Sequence, residues 1–353
     1  MLRLPKFRYL QPRSLAEAVR MKSDGGPDAL FVAGGTDLYP NMKRRQQVPK
    51  AVIGLAQLKQ LRTTKGKPAQ GMVLGAGLTL TEVAEDRRIQ RAYPAVSKAA
   101  ELISTPLLRN MGSIGGNLLL DTRCNYYDQN YDWRKGINFC MKKDGEICWV
   151  APSSPRCWAV QSSDSAPVMV AIGAQVKLIS SSGERLLPVA ELYNDDGIHY
   201  LNKRPDELLT EVHLPPTNGW RATYWKLRRR GSFDFPVLGV ATCLRLTGDK
   251  TVEHAKIVLG GVGSYPLEVT SSEKAIIGKK LTEETIHDAA EAAYSPAKPL
   301  DNTDFAMYWR KHMARYYVAC TLRELGGLPQ SLPYSETENR VPALRVFSSG
   351  PFS

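Results

Sequence analysis

Short apolar runs alternate with polar stretches over the first third of the chain, and their spacing predicts small strands and helices. Ser14 opens a stretch with helical periodicity, and Glu17 completes a capping-box pattern, so a helix is predicted over 14–20. Buried strands are predicted at three short apolar runs, 29–33, 51–55 and 72–76. Further helices are predicted over 38–45, from 81 onward and over 93–103. This mixture indicates an α and β domain.

The rest of the chain follows a different order of elements. An apolar run over 167–180 predicts a strand, and 207–215 predicts another that closes this region. Beyond it, strands are predicted at 224–229, 237–246 and 254–259, followed by helices at 283–294 and 304–325. Strands followed by helices indicate a separate α+β module. The Pro- and Ser-rich segment 329–353 is predicted to be a tail that is loosely ordered or wrapped on a partner.

Residues 121–161 differ from everything around them. They are rich in Cys, Trp, Tyr, Lys and Asn, and they show neither helical nor strand periodicity. An irregular segment of this length is unusual inside a compact domain and tends to be functional. We therefore expect the segment to carry part of the chemistry.

The overall composition describes a globular chain, since 43% of the 353 residues are hydrophobic and 23% are charged. The apolar run 166–174 is much shorter than the roughly 20 residues that span a membrane. Residues 1–10 lack the pattern of a secretory signal. We expect a cytoplasmic protein without membrane association. The formal charge of +12 is scattered along the chain, which disfavours nucleic-acid binding and suits an acidic protein partner.

Four of the six cysteines, Cys124, Cys140, Cys148 and Cys157, lie in the irregular segment with the spacing C-x15-C-x7-C-x8-C. Neighbouring thiolates repel each other, so they need a common metal ligand, and a cytoplasmic setting argues against disulfides. Zinc sites usually contain a closely spaced cysteine pair, which is absent here. An iron–sulfur cluster can take widely spaced ligands. The spacing favours a cluster but leaves zinc and unligated cysteines open.

The residues around the quartet suit a shielded redox centre. Bulky side chains that could exclude water from it are Tyr126, Tyr127, Trp133, Trp149 and Trp158. A basic surface is predicted from Arg123, Arg134, Lys135, Lys142, Lys143 and Arg156. Such a surface would dock an acidic electron carrier, or it would only solvate an exposed loop. The remaining cysteines, Cys243 and Cys320, lie in apolar periodic contexts and predict ordinary buried residues.

Two glycine-rich turns, 33–37 and 113–117, are candidate phosphate-binding loops. Paired glycines let backbone N–H groups converge on an anion without a Cβ in the way. Neither turn matches the G-x-G-x-x-G pattern of a Rossmann domain, and the chain contains no Walker A sequence. A third glycine segment, 260–264, predicts a tight turn. The first two turns together favour a dinucleotide held outside a Rossmann fold.

Five segments, in order along the chain, carry a resemblance to a known family. They are Phe-Val-Ala-Gly-Gly-Thr-Asp-Leu at 31–38, Gly-Ala-Gly-Leu-Thr at 75–79, Gly-Ser-Ile-Gly-Gly-Asn-Leu at 112–118, Ser-Asp-Ser-Ala-Pro at 163–167 and Leu-Gly-Gly-Val-Gly at 259–263. In these segments the chain resembles the FAD-binding medium subunits of the xanthine dehydrogenase and CO dehydrogenase family. The resemblance extends to about residue 328.

The resemblance implies an α+β fold. A two-lobed FAD-binding domain of the PCMH type would occupy 1–220 and include an inserted iron–sulfur loop at 121–161. A C-terminal α+β domain with a small antiparallel sheet would occupy 221–328, and a tail 329–353. FAD would lie between the lobes with both glycine turns at its pyrophosphate. The implied FAD-binding residues are Val32, Ala33, Gly34, Gly35, Thr36, Asp37, Leu38, Thr79, Ile103, Ser113, Ile114, Gly115, Gly116, Asn117, Asp164, Leu209 and Lys226.

Most members of this family lack the cysteine segment, which is similar to that of the 4-hydroxybenzoyl-CoA reductase β subunits. This likeness implies a [4Fe–4S] cluster on the four cysteines. It also implies an oxidoreductase subunit without substrate chemistry of its own, in an (αβγ)2 complex with a large molybdenum-cofactor subunit and a small [2Fe–2S] subunit. Electrons from a carrier such as ferredoxin would pass through the cluster and FAD to molybdenum, where 4-hydroxybenzoyl-CoA loses its phenolic hydroxyl.

Two alternatives stay open. The same subunit would serve a molybdenum hydroxylase that oxidises an aromatic compound, an N-heterocycle or an aldehyde, with electrons flowing outward. A zinc-stabilised, basic nucleic-acid-binding or scaffold protein lies outside this class. It would contain zinc and no flavin.

Overall fold

A computed structural model describes residues 2–330, and all but the first two residues of the predicted tail at 329–353 lie outside this part of the chain. The N-terminal lobe is a parallel three-stranded sheet in the order β1-β3-β2, formed by β1 (Arg8–Leu10), β2 (Ala29–Val32) and β3 (Ala51–Gly54). Two helices belong to this lobe, α1 (Leu15–Gly25) and α2 (Leu38–Lys43). Ser14 caps α1 by accepting a hydrogen bond from the Glu17 backbone N–H, and this helix is longer than predicted.

The second lobe contains an antiparallel sheet in the order β4-β5-β8-β6-β7. Its strands are β4 (Thr64–Lys67), β5 (Gly71–Gly75), β6 (Gln175–Ser180), β7 (Gly183–Pro188) and β8 (Leu208–Leu214). Short helices pack on it: α3 (Leu80–Glu85), α4 (Arg87–Ala92), α5 (Pro94–Leu102), α6 (Pro106–Arg109) and α7 (Ile114–Leu118). Buried residues of α3, α4, α5 and α7 share one core with the sheet, and this core also includes Tyr224, Ala241, Cys243 and Val258 from later in the chain.

The C-terminal module is an antiparallel sheet covered by helices. Its strands, in the spatial order β12-β11-β10-β9, are β9 (Trp220–Leu227), β10 (Leu238–Leu246), β11 (Val252–Gly260) and β12 (Leu267–Glu268). The helices of this module and of two earlier segments are α8 (Tyr131–Gly136), α9 (Ser165–Ala171), α10 (Thr270–Ile276), α11 (Glu283–Ala292) and α12 (Met307–Gly326). The predicted α+β class with a C-terminal antiparallel sheet is confirmed. No helix within residues 2–330 is long and apolar enough to cross a membrane.

One predicted element is wrong. The apolar run 167–180 is not a single strand, because its first part forms helix α9 and only Gln175–Ser180 forms a strand. All seven residues of α9 are buried. A helix that is apolar on every side has no periodicity to distinguish it from a buried strand. Its start is fixed by Ser163, whose hydroxyl oxygen accepts a hydrogen bond from the Ala166 backbone N–H at 3.0 Å.

The irregular segment is largely irregular in the structure as well. Its one helix is α8, and an isolated bridge pairs Arg123 with Val160 so that both ends of the segment leave the domain side by side. The segment is therefore an insertion whose two ends lie next to each other. The strands and helices of the second lobe continue before and after it.

Candidate functional site

A cavity of about 530 Å³ lies between the two N-terminal lobes. The first glycine turn enters it directly after β2, and the second forms the start of α7. Its lining comes from four parts of the chain, 30–38, 112–121, 200–209 and 233–235. A space of this size suits a bound cofactor.

The first glycine turn packs on the backbone immediately before the second, at Met111 and Gly112. A Cβ on Gly34 would lie 1.8 Å from the carbonyl oxygen of Met111, so only glycine allows this approach. Gly35 has a φ of +72°, in the left-handed region that favours glycine. At the second turn, the Ser113 hydroxyl accepts a hydrogen bond from the Gly116 backbone N–H at 3.1 Å. The residue types at these turns are therefore set by the close packing of one turn on the other.

Most of the predicted FAD-binding residues line this cavity. Those on its wall are Val32, Ala33, Gly34, Gly35, Thr36, Asp37, Leu38, Ile103, Ser113, Gly115, Gly116, Asn117, Asp164 and Leu209. Three others lie off the wall. Thr79 caps α3 in a capping box with Glu82, Ile114 is fully buried in the core, and Lys226 contacts Asp164 from behind.

Asp164 is the centre of a buried polar group at the cavity wall. Its carboxylate accepts hydrogen bonds from the Tyr224 hydroxyl and the Lys226 ammonium, both at 2.8 Å. Lys226 also donates to the carbonyl oxygen of Leu102 at 3.0 Å. Burial raises the pKa of Asp164, and the positive charge of Lys226 opposes that rise. Lys226 thus acts on the cavity through Asp164. Tyr224 also holds Asp164 in place, and the sequence did not indicate this role.

Several cavity residues were missed from the sequence. They are Arg123, Tyr200, Lys203, Phe233 and Phe235. Each comes from a segment without a recognisable motif, and only the folding of the chain brings them to the glycine turns. Burial lowers the pKa of Lys203 to about 8, although the nearby Glu207 opposes this. The cavity thus contains a lysine that loses its charge in the mildly alkaline range, well below the range of an ordinary lysine.

The predicted basic surface on the irregular segment is only partly present. The side chains of Arg134 and Lys142 are buried, and Arg123 is 7% exposed. Lys142 donates to Asp121 at 2.9 Å and to the Gly197 carbonyl oxygen at 2.6 Å. These cations bind to polar groups inside the protein, because a buried charge requires a partner. The prediction of a strongly basic face from all six residues is therefore wrong.

The four cysteines converge inside the segment. All four are buried, and Cys124, Cys140 and Cys157 form one cluster with Tyr127 and Ala159. Burial raises the pKa of the Cys124 thiol to about 12, and the charges of the other three thiols add to that rise. The same causes raise the pKa of Cys157 to about 11. Such thiols would stay protonated unless a metal centre stabilised their thiolates.

Backbone N–H groups point at these sulfur atoms. Cys124 accepts from the amide of Tyr126, and Cys140 accepts from the amides two and three residues further on. Cys157 accepts from the Ala159 N–H at 3.4 Å. Hydrogen bonds of this kind stabilise cysteine thiolates and tune the potential of iron–sulfur centres. The donor set therefore fits a metal centre bound by thiolates.

A zinc ion and a cubane cluster require different spacings of the four sulfurs. No group of three or more Cys, His, Asp or Glu side chains among residues 2–330 is placed to hold a metal ion in this structure. Four sulfurs around one zinc ion would lie only about 3.8 Å apart, given Zn–S bonds of about 2.3 Å. A cubane cluster needs a wider set of ligands because its iron atoms occupy separate corners. Four cysteine thiols are suitable donors for either centre.

Comparison with known families gives two matches that together cover most of the chain. The profile described as FAD binding domain in molybdopterin dehydrogenase matches residues 5–217. The profile described as CO dehydrogenase flavoprotein C-terminal domain matches residues 222–325. These ranges meet close to the boundary between the two N-terminal lobes and the C-terminal sheet.

Individual relatives agree with these profiles. The chain is 31% identical to an aldehyde oxidoreductase FAD-binding subunit of Escherichia coli, over 76% of this chain and 85% of that one. It is 25% identical to the glyceraldehyde dehydrogenase medium chain of Sulfolobus acidocaldarius, over 91% and 99%. Among solved structures, carbon monoxide dehydrogenase from Hydrogenophaga pseudoflava matches with a TM-score of 0.74 at 25% identity, covering 91% of this chain and 97% of that one.

Proposed function

The chain belongs to the family of FAD-binding medium subunits of the CO and xanthine dehydrogenase type, and we propose that it is an electron-transfer subunit carrying both FAD and a [4Fe–4S] cluster. Its relatives are subunits of dehydrogenases and oxidoreductases. FAD, when bound, exchanges either two electrons or one at a time, and a [4Fe–4S] cluster exchanges single electrons. The protein supplies binding, orientation and electrostatics for both groups.

The FAD site is proposed at the cavity between the lobes. Its support is the cavity itself, which collects fourteen of the seventeen predicted residues around two glycine turns in backbone contact. In this proposal Lys226 and Tyr224 act through Asp164, and Thr79 and Ile114 support the turns from outside the cavity. The division of the chain into an FAD-binding part at 1–220 and a C-terminal part at 221–328 is supported by the family matches on either side of that boundary.

The [4Fe–4S] cluster is proposed on Cys124, Cys140, Cys148 and Cys157. Two observations support it: all four thiols are buried near enough that the other three raise the pKa of Cys124, and backbone N–H groups are directed at the sulfur atoms of Cys124, Cys140 and Cys157. The family does not typically carry this centre, so we infer it from this chain's own residues. The same residues exclude water, since Tyr127 and Ala159 complete the apolar shell around the sulfurs.

The second redox centre is the basis for proposing a reaction, an electron donor and partner subunits. We propose that the whole enzyme reduces 4-hydroxybenzoyl-CoA with electrons from a low-potential carrier such as ferredoxin, in an (αβγ)2 complex with large molybdenum and small [2Fe–2S] subunits. The support is the cysteine segment, which gives the chain a single-electron centre of its own beside the flavin. Relatives named as medium chains or complex subunits support the presence of partner subunits.

A second candidate is a molybdenum hydroxylase that oxidises its substrate. It is favoured by the names of the relatives, which include aldehyde, nicotinate and carbon monoxide dehydrogenases. The same chain would then pass electrons away from molybdenum. The choice between the two depends on the partner subunits and on the potentials, because the residues described here serve either direction equally well.

The test is an assay of the native complex under anaerobic conditions. Reduction of 4-hydroxybenzoyl-CoA with a low-potential donor supports the first candidate, whereas oxidation of aldehydes or N-heterocycles without reductase activity supports the second. A complex that lacks molybdenum and two co-purifying subunits contradicts both. Cys148→Ser in the complex is expected to lose iron, and the buried Cys243→Ser is the matched control that keeps it.

A further inference from the structure

The cysteine segment is docked on the helix that follows the first glycine turn. Arg134 donates to the carbonyl oxygen of Arg44 at 3.0 Å, and Gln46 donates to the carbonyl oxygen of Tyr127. Asp128 lies 4.0 Å from the Arg44 guanidinium. The residues just after helix α2 therefore make polar contacts with two places in the segment, 127–128 and Arg134.

Arg123 makes the contact nearest to the cavity. It directly precedes Cys124, is 7% exposed, and lines the cavity wall. Its guanidinium forms an ion pair with Asp37 and also donates to Asp128 at 3.3 Å. The ring of Phe235 covers it at 4.6 Å from the centroid. One buried side chain thus joins the cysteine segment to the wall of the FAD cavity.

The ion pair with Arg123 reaches the first glycine turn at Asp37. It is the last residue of the first glycine turn and the N-cap residue of α2. Its carboxylate also accepts a hydrogen bond from the Asn41 side chain at 3.2 Å, and Asn41 is fully buried. Because the carboxylate is held from the helix side and from the segment side, the position of the turn depends on both.

We propose that Arg123 is a positioning residue for FAD, and that through Asp37 it makes the cysteine segment and the FAD cavity one cooperative unit. An ordered segment holds the first turn in its binding conformation, which raises the affinity for FAD. By thermodynamic reciprocity, bound FAD stabilises the segment to the same extent. This inference concerns the flavin site alone, and it holds whether or not the cysteines bind iron.

The test measures FAD binding to the full-length chain after removal of flavin, by titration with FAD and its fluorescence quenching. Arg123→Met is expected to weaken binding about 10- to 100-fold, because it leaves the Asp37 carboxylate partly buried without its cation. Arg123→Lys, which keeps a cation, is expected to restore most of the affinity. Arg156→Met is the matched control, since Arg156 lies in the same segment but stacks on Trp158 and pairs with Asp195.

A double-mutant cycle with Asp37→Asn tests whether Arg123 affects FAD binding through Asp37. If Arg123 acts through Asp37, the double variant is about as weak as the weaker single variant, whereas independent effects would multiply. Arg123→Met with wild-type affinity, or multiplicative effects in the cycle, overturns the proposal. If Arg123→Met does not fold, the same cycle is run with Arg123→Gln, which also removes the cation but keeps a polar side chain.

Reciprocity gives a second measurement. FAD is expected to protect residues 121–161 of the wild-type chain from limited proteolysis, and to protect them much less in Arg123→Met. Equal protection in both proteins would contradict the proposed coupling. Iron content measured on the same samples separates this outcome from a failure of the cluster proposal, because the coupling is expected in iron-free protein too.

Discussion

At the scale of single residues, the cavity wall depends on buried charges that neutralise each other. The side chains of Asp164 and Lys226 are 3% and 1% exposed, and their mutual hydrogen bond is what makes their burial tolerable. Tyr224 adds a third polar group to the pair. The resemblance of the chain to its family indicated a position for Asp164 at the FAD site, and this residue does line the cavity. It could not show that Lys226 lies behind Asp164, since only the pairing of β9 with β10 sets that direction.

Lys226→Met is expected to destabilise the protein by about 3–5 kcal/mol, because it leaves the Asp164 carboxylate buried without a cation. Flavin occupancy is expected to fall with it. Removing both charges in Lys226→Met with Asp164→Asn is the control, and it is expected to recover most of the free energy of unfolding. Chemical denaturation of the apoprotein checks this, and a double variant as unstable as the single one would refute the pairing.

Lys203 predicts a pH dependence of FAD binding. Its pKa of about 8 means that the cavity carries this positive charge below pH 8 and loses it above. The affinity for the anionic cofactor is therefore expected to fall about three- to tenfold between pH 7 and 9.5. Titration with FAD across this range checks the prediction. Lys203→Gln is expected to flatten the profile, and an unchanged profile in that variant would rule out Lys203 as its source.

At the scale of elements, the sequence predicted well where a local pattern decides the structure. The strands 29–33 and 51–55 and the capped helix after Ser14 were all indicated by periodicity and capping. Helix α9 was not, because an element buried on all sides has no polar face to reveal its period. The glycine turns were predicted as separate motifs. Their contact through Gly34 and Met111 is a tertiary fact that no local pattern contains.

Gly34→Ala tests that contact. The new Cβ would meet a backbone oxygen that cannot move aside, so the two turns are expected to separate and FAD binding to be lost. Gly248→Ala is the matched control, since a Cβ there meets nothing within 4 Å. Flavin content after purification and the thermal unfolding midpoint check both variants. Normal flavin content in Gly34→Ala would show that the turns do not need their backbone contact.

At the scale of the whole molecule, the cysteine segment is an insertion that hydrogen bonds connect to the rest of the chain. Spacing indicated the four cysteines, and resemblance indicated their cofactor. The sequence also suggested an exposed basic loop, but Arg134 and Lys142 are buried instead and tie the segment to its surroundings. The C-terminal module joins the same region, because Asn302 of that module donates to the carbonyl oxygen of Trp158 at 2.6 Å. Such long-range pairings depend on the complete fold, which local sequence patterns do not specify.

If one chain holds both a flavin and an iron–sulfur cluster, both must be found in the purified protein. The direct measurement is flavin, iron, acid-labile sulfide and zinc analysis of the anaerobically purified protein, together with its absorption spectrum before and after reduction. We expect one FAD, with about four iron and four sulfide per chain, and a broad absorption beside the flavin bands that bleaches on reduction. Flavin with zinc, or flavin with no metal on the four cysteines, would contradict it.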